Sequence, residues 1–367
     1  MKRVLFILKY RESDYGSYNA DPTVEKKTWA YTQGLSSGLL NSAKFVCDML
    51  SENLGYESKL VQVYDNNDID REVTTYKPTH AIIEAYWVVP EKFDILTKLH
   101  PNVIWIIRNH SNTPFLANEG IAFGWSMRYL QYPNVHVSCN HPKALREMRL
   151  LAWKTYTFWD KEFVEKKVNY LPNYYPLHIR KKEAYPKNKD TIDIGCFGAI
   201  RPLKNHMIQA VAAIEFAHKK KKKLRFHING NRLEDKGEPI LKNLREIFDH
   251  VHDCELIEHP WMNHDDFLKL VRSMDIGLQV SFSETFNIVA ADFINCDVPI
   301  VTCREIDWSN KTLWADPTDS QSIVSALDRA FWYDKHINFY CPHVSGIKRY
   351  NRKSVCEWDY VISTTNP

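Results

Sequence analysis

The chain has 367 residues, 44% hydrophobic and 25% charged, with a formal net charge of +3. That length exceeds what one hydrophobic core usually serves, so two lobes are expected, and the composition excludes extensive disorder. The charge is too small to imply nucleic acid by itself, and no run approaches the roughly 20 apolar residues that cross a bilayer.

Met1-Lys2-Arg3 followed by Val4 to Leu8 has the charge order of a signal peptide, but the apolar run is too short and charges follow at once. It reads as a first buried strand. Further strands are expected at Lys59 to Val63, His80 to Ile83, Val103 to Ile107 and Val135 to Cys139. A helix opens near Gly34 and closes at Gly55, with Leu39, Ala43, Val46, Leu50 and Leu54 on one face, which is a core face. Gly34 and Gly38, with Ser36 and Ser37, are candidates for an acceptor-side loop at its start. Asp68-Ile69-Asp70 has the form of a metal-binding DxD motif but sits in a polar segment ahead of a helix, and reads as solvated turn residues. The basic-aromatic stretch Trp125-Ser126-Met127-Arg128-Tyr129 is a candidate nucleic-acid contact.

The segment from Val168 to Pro176 holds two prolines, and a polar, basic stretch from Arg180 to Asp190 follows, so the interdomain linker is placed here. A second alternation then runs through strands at Ile192 to Phe197, Leu224 to Ile228, Cys254 to Ile257, Ile276 to Val280 and Pro299 to Val301. The helix after Asn263 shows Phe267, Leu270, Val271 and Met274 at helical spacing, and Val344 to Val361 reads as a final helix. The five lysines from Lys219 to Lys223 read as a solvated helix end. His250-Val251-His252-Asp253-Cys254 has metal-ligand residue types, but no second cluster completes a site, so no metal is expected. The eight cysteines form no CxxC pair, which points to a reducing compartment, the cytoplasm.

Chemistry concentrates at two strand-to-helix junctions. Gly198-Ala199-Ile200-Arg201-Pro202-Leu203-Lys204 supplies two cations, with Pro202 suited to a first helical turn. Ser283-Glu284-Thr285-Phe286-Asn287-Ile288, with Asp292, sets two carboxylates eight residues apart around a helix start. Open α/β sheets bind ligands at that edge. Arg201 can fork phosphate oxygens, Lys204 adds a point charge, and the amides of Phe286, Asn287 and Ile288 can face an anion. Glu284 and Asp292 can accept from sugar and ribose hydroxyls. Trp261 is a candidate wall for a nucleobase, with simple packing as the alternative.

These residues resemble the retaining GT-B glycosyltransferases of the E-x7-E type, the group 1 or family 4-like enzymes. Arg201, Lys204, Glu284 and Phe286 match that family's pattern; the usual glycine is Asn287 and the second glutamate is Asp292. Asp297-Val298-Pro299-Ile300-Val301 resembles the family's next turn and strand, and Leu171-Pro172-Asn173 its interdomain Pro-Asn signature. The resemblance implies an α/β fold of GT-B architecture, two Rossmann-like doubly wound domains facing across a cleft. An acceptor-side domain would span 1–172, a linker 173–190, a donor domain 191–340, and a last segment 341–367 would return toward the first lobe.

It further implies a hexosyl- or pentosyltransferase that uses a nucleotide diphosphate sugar without cofactor or metal and with retention. Arg201 and Lys204 would stabilise the leaving diphosphate, Glu284 and His110 would orient the sugar, and Thr285, Phe286, Asn287, Ile288, Asp292 and Trp261 would complete donor binding. For His110 a turn-capping role is the alternative. The expected acceptor is a glycan or lipid-linked sugar. Alternatives are a hydroxymethylated base in DNA, a noncatalytic nucleotide-sugar-binding protein and a nucleotide-sugar epimerase.

Overall fold

The computed structural model describes residues 2–10, 38–178, 190–336 and 344–365. They fall into two compact units. The first holds 2–10, 38–176 and 349–365, and the second holds 177–178, 190–336 and 344–348. No described helix is long and apolar enough to cross a membrane.

The first unit carries β1 (Arg3–Lys9), β2 (Glu57–Val63), β3 (His80–Glu84), β4 (Ile104–Asn109), β5 (Val135–Cys139) and β6 (Val168–Tyr170) in the order β2-β1-β3-β4-β5-β6. Every pairing is parallel. Along β1, Leu5 and Ile7 enter one apolar cluster while Val4 and Phe6 enter another on the opposite face. Both faces are therefore buried, and for that reason these strands read as continuous apolar runs rather than alternating ones. The helix Gly38–Leu54 places Ala43, Val46 and Leu50 in the core, as its spacing predicts. The last helix, Val344–Thr364, lays Trp358 against Phe6, with ring centroids 5.7 Å apart.

Two segments depart from expectation. Asp68-Ile69-Asp70 forms the first turn of the helix Asp68–Tyr76, where the Asp68 carboxylate accepts from the Tyr64 N–H and Asp70 pairs with His100 at 2.7 Å. Carboxylates suit a helix N-terminus, and that is why this polar stretch belongs to the helix and not to the turn before it. Val168–Tyr170, read as linker, is the edge strand β6. The Arg149 side chain donates to the Val168 carbonyl at 3.0 Å, and the buried Lys167 ammonium donates to the carbonyls of Tyr132, Pro133 and Val135 at 2.6–3.1 Å.

The second unit carries β7 (Thr191–Gly195), β8 (Lys223–Asn229), β9 (Cys254–His259), β10 (Ile276–Gln279) and β11 (Ile300–Thr302) in the order β11-β10-β7-β8-β9, all parallel. Taken from its own first strand this is the order 5-4-1-2-3, which reverses direction between β7 and β10. Ligands of doubly wound sheets lodge at the carboxyl ends of the strands flanking such a reversal. On one face the helix Ile288–Asn295 lies very close to the sheet: a Cβ on Gly277 would meet the Phe293 ring at 2.6 Å. Only glycine lets that helix approach, and its approach sets where its N-terminus sits.

Candidate functional site

The loops that leave β7 and β10 are tied to each other. After β7 the chain passes Gly198, whose φ of 114° favours glycine, and reaches a 3₁₀ turn, Pro202–Lys204, with Arg201 as its N-cap residue. Asn205 follows at φ 59° and donates through Nδ2 to the carbonyls of Val280 and Pro317 at 3.0 and 2.8 Å. Gln209 accepts from the Val280 N–H at 2.8 Å and donates to the Lys204 carbonyl at 2.8 Å, and the Phe282 N–H donates to the Leu203 carbonyl at 3.0 Å. These bonds bring the Arg201–Lys204 segment and the Ser283–Ile288 segment, some eighty residues apart in sequence, to one sheet edge.

Lys204 Nζ lies 2.5 Å from Glu284 Oε1, with both side chains largely buried. The site a Cβ would take on Gly198 is 3.9 Å from that Nζ, so the bare backbone leaves the ammonium room. Arg201 donates through Nη1 to Glu234 Oε2 at 3.0 Å, and Arg232 holds the other oxygen at 2.9 Å. Burial raises the Glu234 pKa, but the charges of Arg232 and Arg201 outweigh it and hold the carboxyl below its usual range. His206, fully buried beside these cations, has no hydrogen-bond partner among the described residues, and burial with the charges of Lys204 and Arg201 lowers its pKa to about 3. It contributes volume but no charge.

Asn287 is the N-cap of the helix Ile288–Asn295 at φ 58°. Its Oδ1 accepts from the Ala290 N–H at 2.9 Å and its Nδ2 donates to Gln279 Oε1 at 2.8 Å. A left-handed backbone explains the family's glycine, and an asparagine tolerates it while adding a cap. Asn287→Ala is expected to cost about 2 kcal/mol of stability, from left-handed strain plus the lost cap, and Asn287→Gly distinctly less. Urea denaturation of the two variants checks the order. Phe286 is core: its ring packs on Trp308 at 5.3 Å and its carbonyl accepts from the Trp308 indole at 2.7 Å. Asp292, 1% exposed, is held by His264 Nε2 at 2.7 Å. Burial works against the His264 imidazolium, yet the hydrogen bond and charge of Asp292 prevail and raise its pKa. Trp261 stands beside Arg232, whose guanidinium lies 4.3 Å from the ring centroid.

A second cluster lies at the carboxyl ends of β3 and β4 in the first unit. Glu84 and Arg108 are fully buried and paired at 3.1 Å, and His110 Nε2 donates to the other Glu84 oxygen. Burial raises the Glu84 pKa, but Arg108 and then His110 outweigh it and hold the carboxyl below its usual range; burial likewise lowers His110, with Glu84 only partly opposing. His110 is thus a neutral imidazole, and its orientation comes from Glu84. Arg108 also donates to the carbonyls of Leu171 and Pro172 at 3.2 Å each and to Asn173 Oδ1 at 2.7 Å. The Leu171-Pro172-Asn173 segment is therefore a clasp around one buried guanidinium.

No family model matches the chain, and no curated sequence matches it. Solved structures do. A UDP-forming α,α-trehalose-phosphate synthase from Burkholderia xenovorans superposes with TM-score 0.60 at 10% identity, covering 99% of each chain. HepE of Anabaena in complex with UDP and glucose gives TM-score 0.60 at 10% identity over 99% of this chain and 98% of that one. A trehalose-6-phosphate structure from E. coli bound with UDP-2-fluoro glucose gives TM-score 0.57 at 14% identity over 82% and 77%.

The chain has the GT-B fold. Within the second unit of this GT-B chain, Lys204 and Glu284 touch each other, and Arg201 borders them through its effect on the same buried groups. Asp292 and Trp261 are each engaged by a different partner, His264 and Arg232. Gly34 and Ser36 lie outside the described residues. Sequence reasoning missed Glu234, His264 and Glu84. For Glu84 a signal existed, since it and Arg108 are charged residues at or next to the carboxyl ends of two parallel strands whose centres are apolar.

Proposed function

We propose that this GT-B chain is a glycosyltransferase that moves a sugar from a nucleotide diphosphate sugar to an acceptor hydroxyl, with retention and without a metal. The observation that carries the reading is the Lys204–Glu284 pair at 2.5 Å, seated where strand order reverses between β7 and β10. A cation there suits a departing diphosphate, and the amides opening the helix Ile288–Asn295 add to the same field. The adjacent carboxylate suits sugar hydroxyls. A phosphate displacing Glu284 from Lys204 would release that carboxylate for the sugar, which couples the two halves of the donor. In the first unit, His110, aimed by Glu84, is assigned to hydroxyl binding. UDP in the HepE complex and UDP-2-fluoro glucose in the E. coli structure support a UDP-sugar among the donors. The free thiols at the described cysteines suit a reducing, cytoplasmic setting.

For the acceptor we favour a lipid-linked sugar or glycan. The helices Pro142–Thr155 and Lys161–Lys167 border a groove of about 490 Å³ lined by Leu145, Leu150 and Trp153 with Arg146, Arg149 and Lys161, and Phe158 nearby is 81% exposed. Apolar anchors with three cations against one carboxylate, Glu165, fit an anionic lipid surface. Trp125 to Tyr129, by contrast, turns inward: Ser126 and Tyr129 are buried and Arg128 pairs with Glu91.

A thermal-shift panel of UDP-, GDP-, ADP- and dTDP-sugars on the wild type, Arg201→Ala and Glu284→Ala tests the donor site. Stabilisation of the wild type by one nucleotide class, largely lost in Arg201→Ala, is expected; equal shifts in both proteins count against the site. The stabilising donor is then offered lipid-linked sugar, free glycan, hydroxymethylated DNA or no acceptor, and products are analysed.

A further inference from the structure

Outside the Lys204–Glu284 pair, the second unit holds a chain of titratable side chains running across three adjacent strands. Asp193 on β7 accepts from His227 Nε2 at 2.8 Å through Oδ1 and from Arg225 at 2.7 Å through Oδ2. His227 on β8 shares a 2.8 Å hydrogen bond between its Nδ1 and Nε2 of His259 at the end of β9, and the two rings lie nearly parallel, 11° apart. A carboxylate only accepts, so His227 carries a proton on Nε2; where that is its one proton, Nδ1 accepts and His259 donates from its own Nε2. Burial above all lowers the His259 pKa to about 4, which keeps that ring neutral. The last atom of the chain, Nδ1 of His259, is left as an acceptor. Among the described residues it has no hydrogen-bond partner, and it is not one of the buried unpartnered atoms.

We propose that Asp193, His227 and His259 form a relay that presents His259 Nδ1 as a fixed acceptor to the nucleobase, selecting a base with a ring N–H (uracil, thymine or guanine) over adenine or cytosine. This rests on the donor site proposed above. Its placement has two supports. β9 lies two strands from β7, roughly 10 Å from the strand-order reversal, which is the reach of a nucleoside from its diphosphate. Phe197, directly before Gly198 of the phosphate loop, packs edge-on against His259 with centroids 6.0 Å apart, so the imidazole borders that loop. Trp261, two residues beyond His259, donates its backbone N–H to Asn231 Oδ1 at 2.9 Å, and Arg232 stands over one face of its ring. Uracil, thymine and guanine offer a ring N–H to such an acceptor, whereas adenine and cytosine turn a lone pair toward it and leave both groups unsatisfied.

The test is isothermal titration of UDP, GDP, ADP and CDP into wild type, His259→Phe and His227→Phe, with melting curves confirming folding. Wild type is expected to bind UDP or GDP at least about tenfold more tightly than ADP and CDP. Both variants are expected to lose that ratio, while His259→Phe keeps its ADP affinity; for His227, a positioning residue, the ratio is the readout and not affinity alone. ADP or CDP binding the wild type as tightly as UDP and GDP, or an unchanged ratio in His259→Phe, overturns the relay and leaves the donor site standing. If neither these four diphosphates nor dTDP binds, the donor site itself fails, and the relay with it. Nitrogen-15 shifts of His259 in the wild type give a reading that needs no variant: an unprotonated Nδ1 near neutral pH is required, and a protonated Nδ1 refutes the proposal.

Discussion

Arg108→Leu is expected to destabilise the first unit by about 3–5 kcal/mol, the range seen when one partner of a buried ion pair is removed. The guanidinium is fully buried, spends its donors on Glu84, Leu171, Pro172 and Asn173, and lies 5.2 Å from the Trp358 ring centroid. Leucine removes all of these at once. Glu84, itself fully buried, is left with His110, the Leu171 carbonyl loses the Arg108 donor, and the Pro172 carbonyl keeps only the Trp358 indole N–H. Part of the cost is relieved when Glu84 takes up a proton, so the loss should be smaller at acid pH than at neutral pH. The double variant Arg108→Leu with Glu84→Leu should recover much of the loss, because no charge is then stranded. Urea denaturation followed by tryptophan fluorescence measures all three proteins, and a loss below about 1 kcal/mol in the single variant would remove Arg108 from its structural role.

The strands and most helices were legible because both sheets are parallel and covered on both faces, so their strands are short apolar runs between polar helices. Val168–Tyr170 was not. It has three residues, contains Asn169, and sits at a sheet edge before a proline, so hydrophobicity alone could not separate it from a linker. The motif at Arg201, Lys204, Glu284 and Asp292 was legible as residue types at strand ends. Its pairings were not, since Glu234 comes from another loop and His264 from the start of the helix His264–Ser273, and only the folded sheet decides that Arg201 meets Glu234 and Asp292 meets His264. The asparagine that departs from the family's glycine became intelligible only through its positive φ.

Lys204→Met is expected to weaken nucleoside diphosphate binding by roughly 10- to 150-fold, the equivalent of one hydrogen bond to a charged group. Methionine keeps the bulk of the stem, so the change isolates the ammonium. Glu284→Gln should act in the opposite sense on the same ligand. Glu284 occupies Lys204 at 2.5 Å, and a phosphate must compete with it. A neutral glutamine competes less, so UDP should bind Glu284→Gln as tightly as wild type or more tightly. Under the proposed role of Glu284, a sugar nucleotide gains hydroxyl contacts that require the released carboxylate, so its advantage over the bare diphosphate should shrink in Glu284→Gln and persist, at lower affinity, in Lys204→Met. Titration of UDP and the best UDP-, GDP-, ADP- or dTDP-sugar into the three proteins separates these terms. If both substitutions weaken the bare diphosphate equally, Lys204 and Glu284 form a merely structural pair and the exchange of partners on donor binding does not occur.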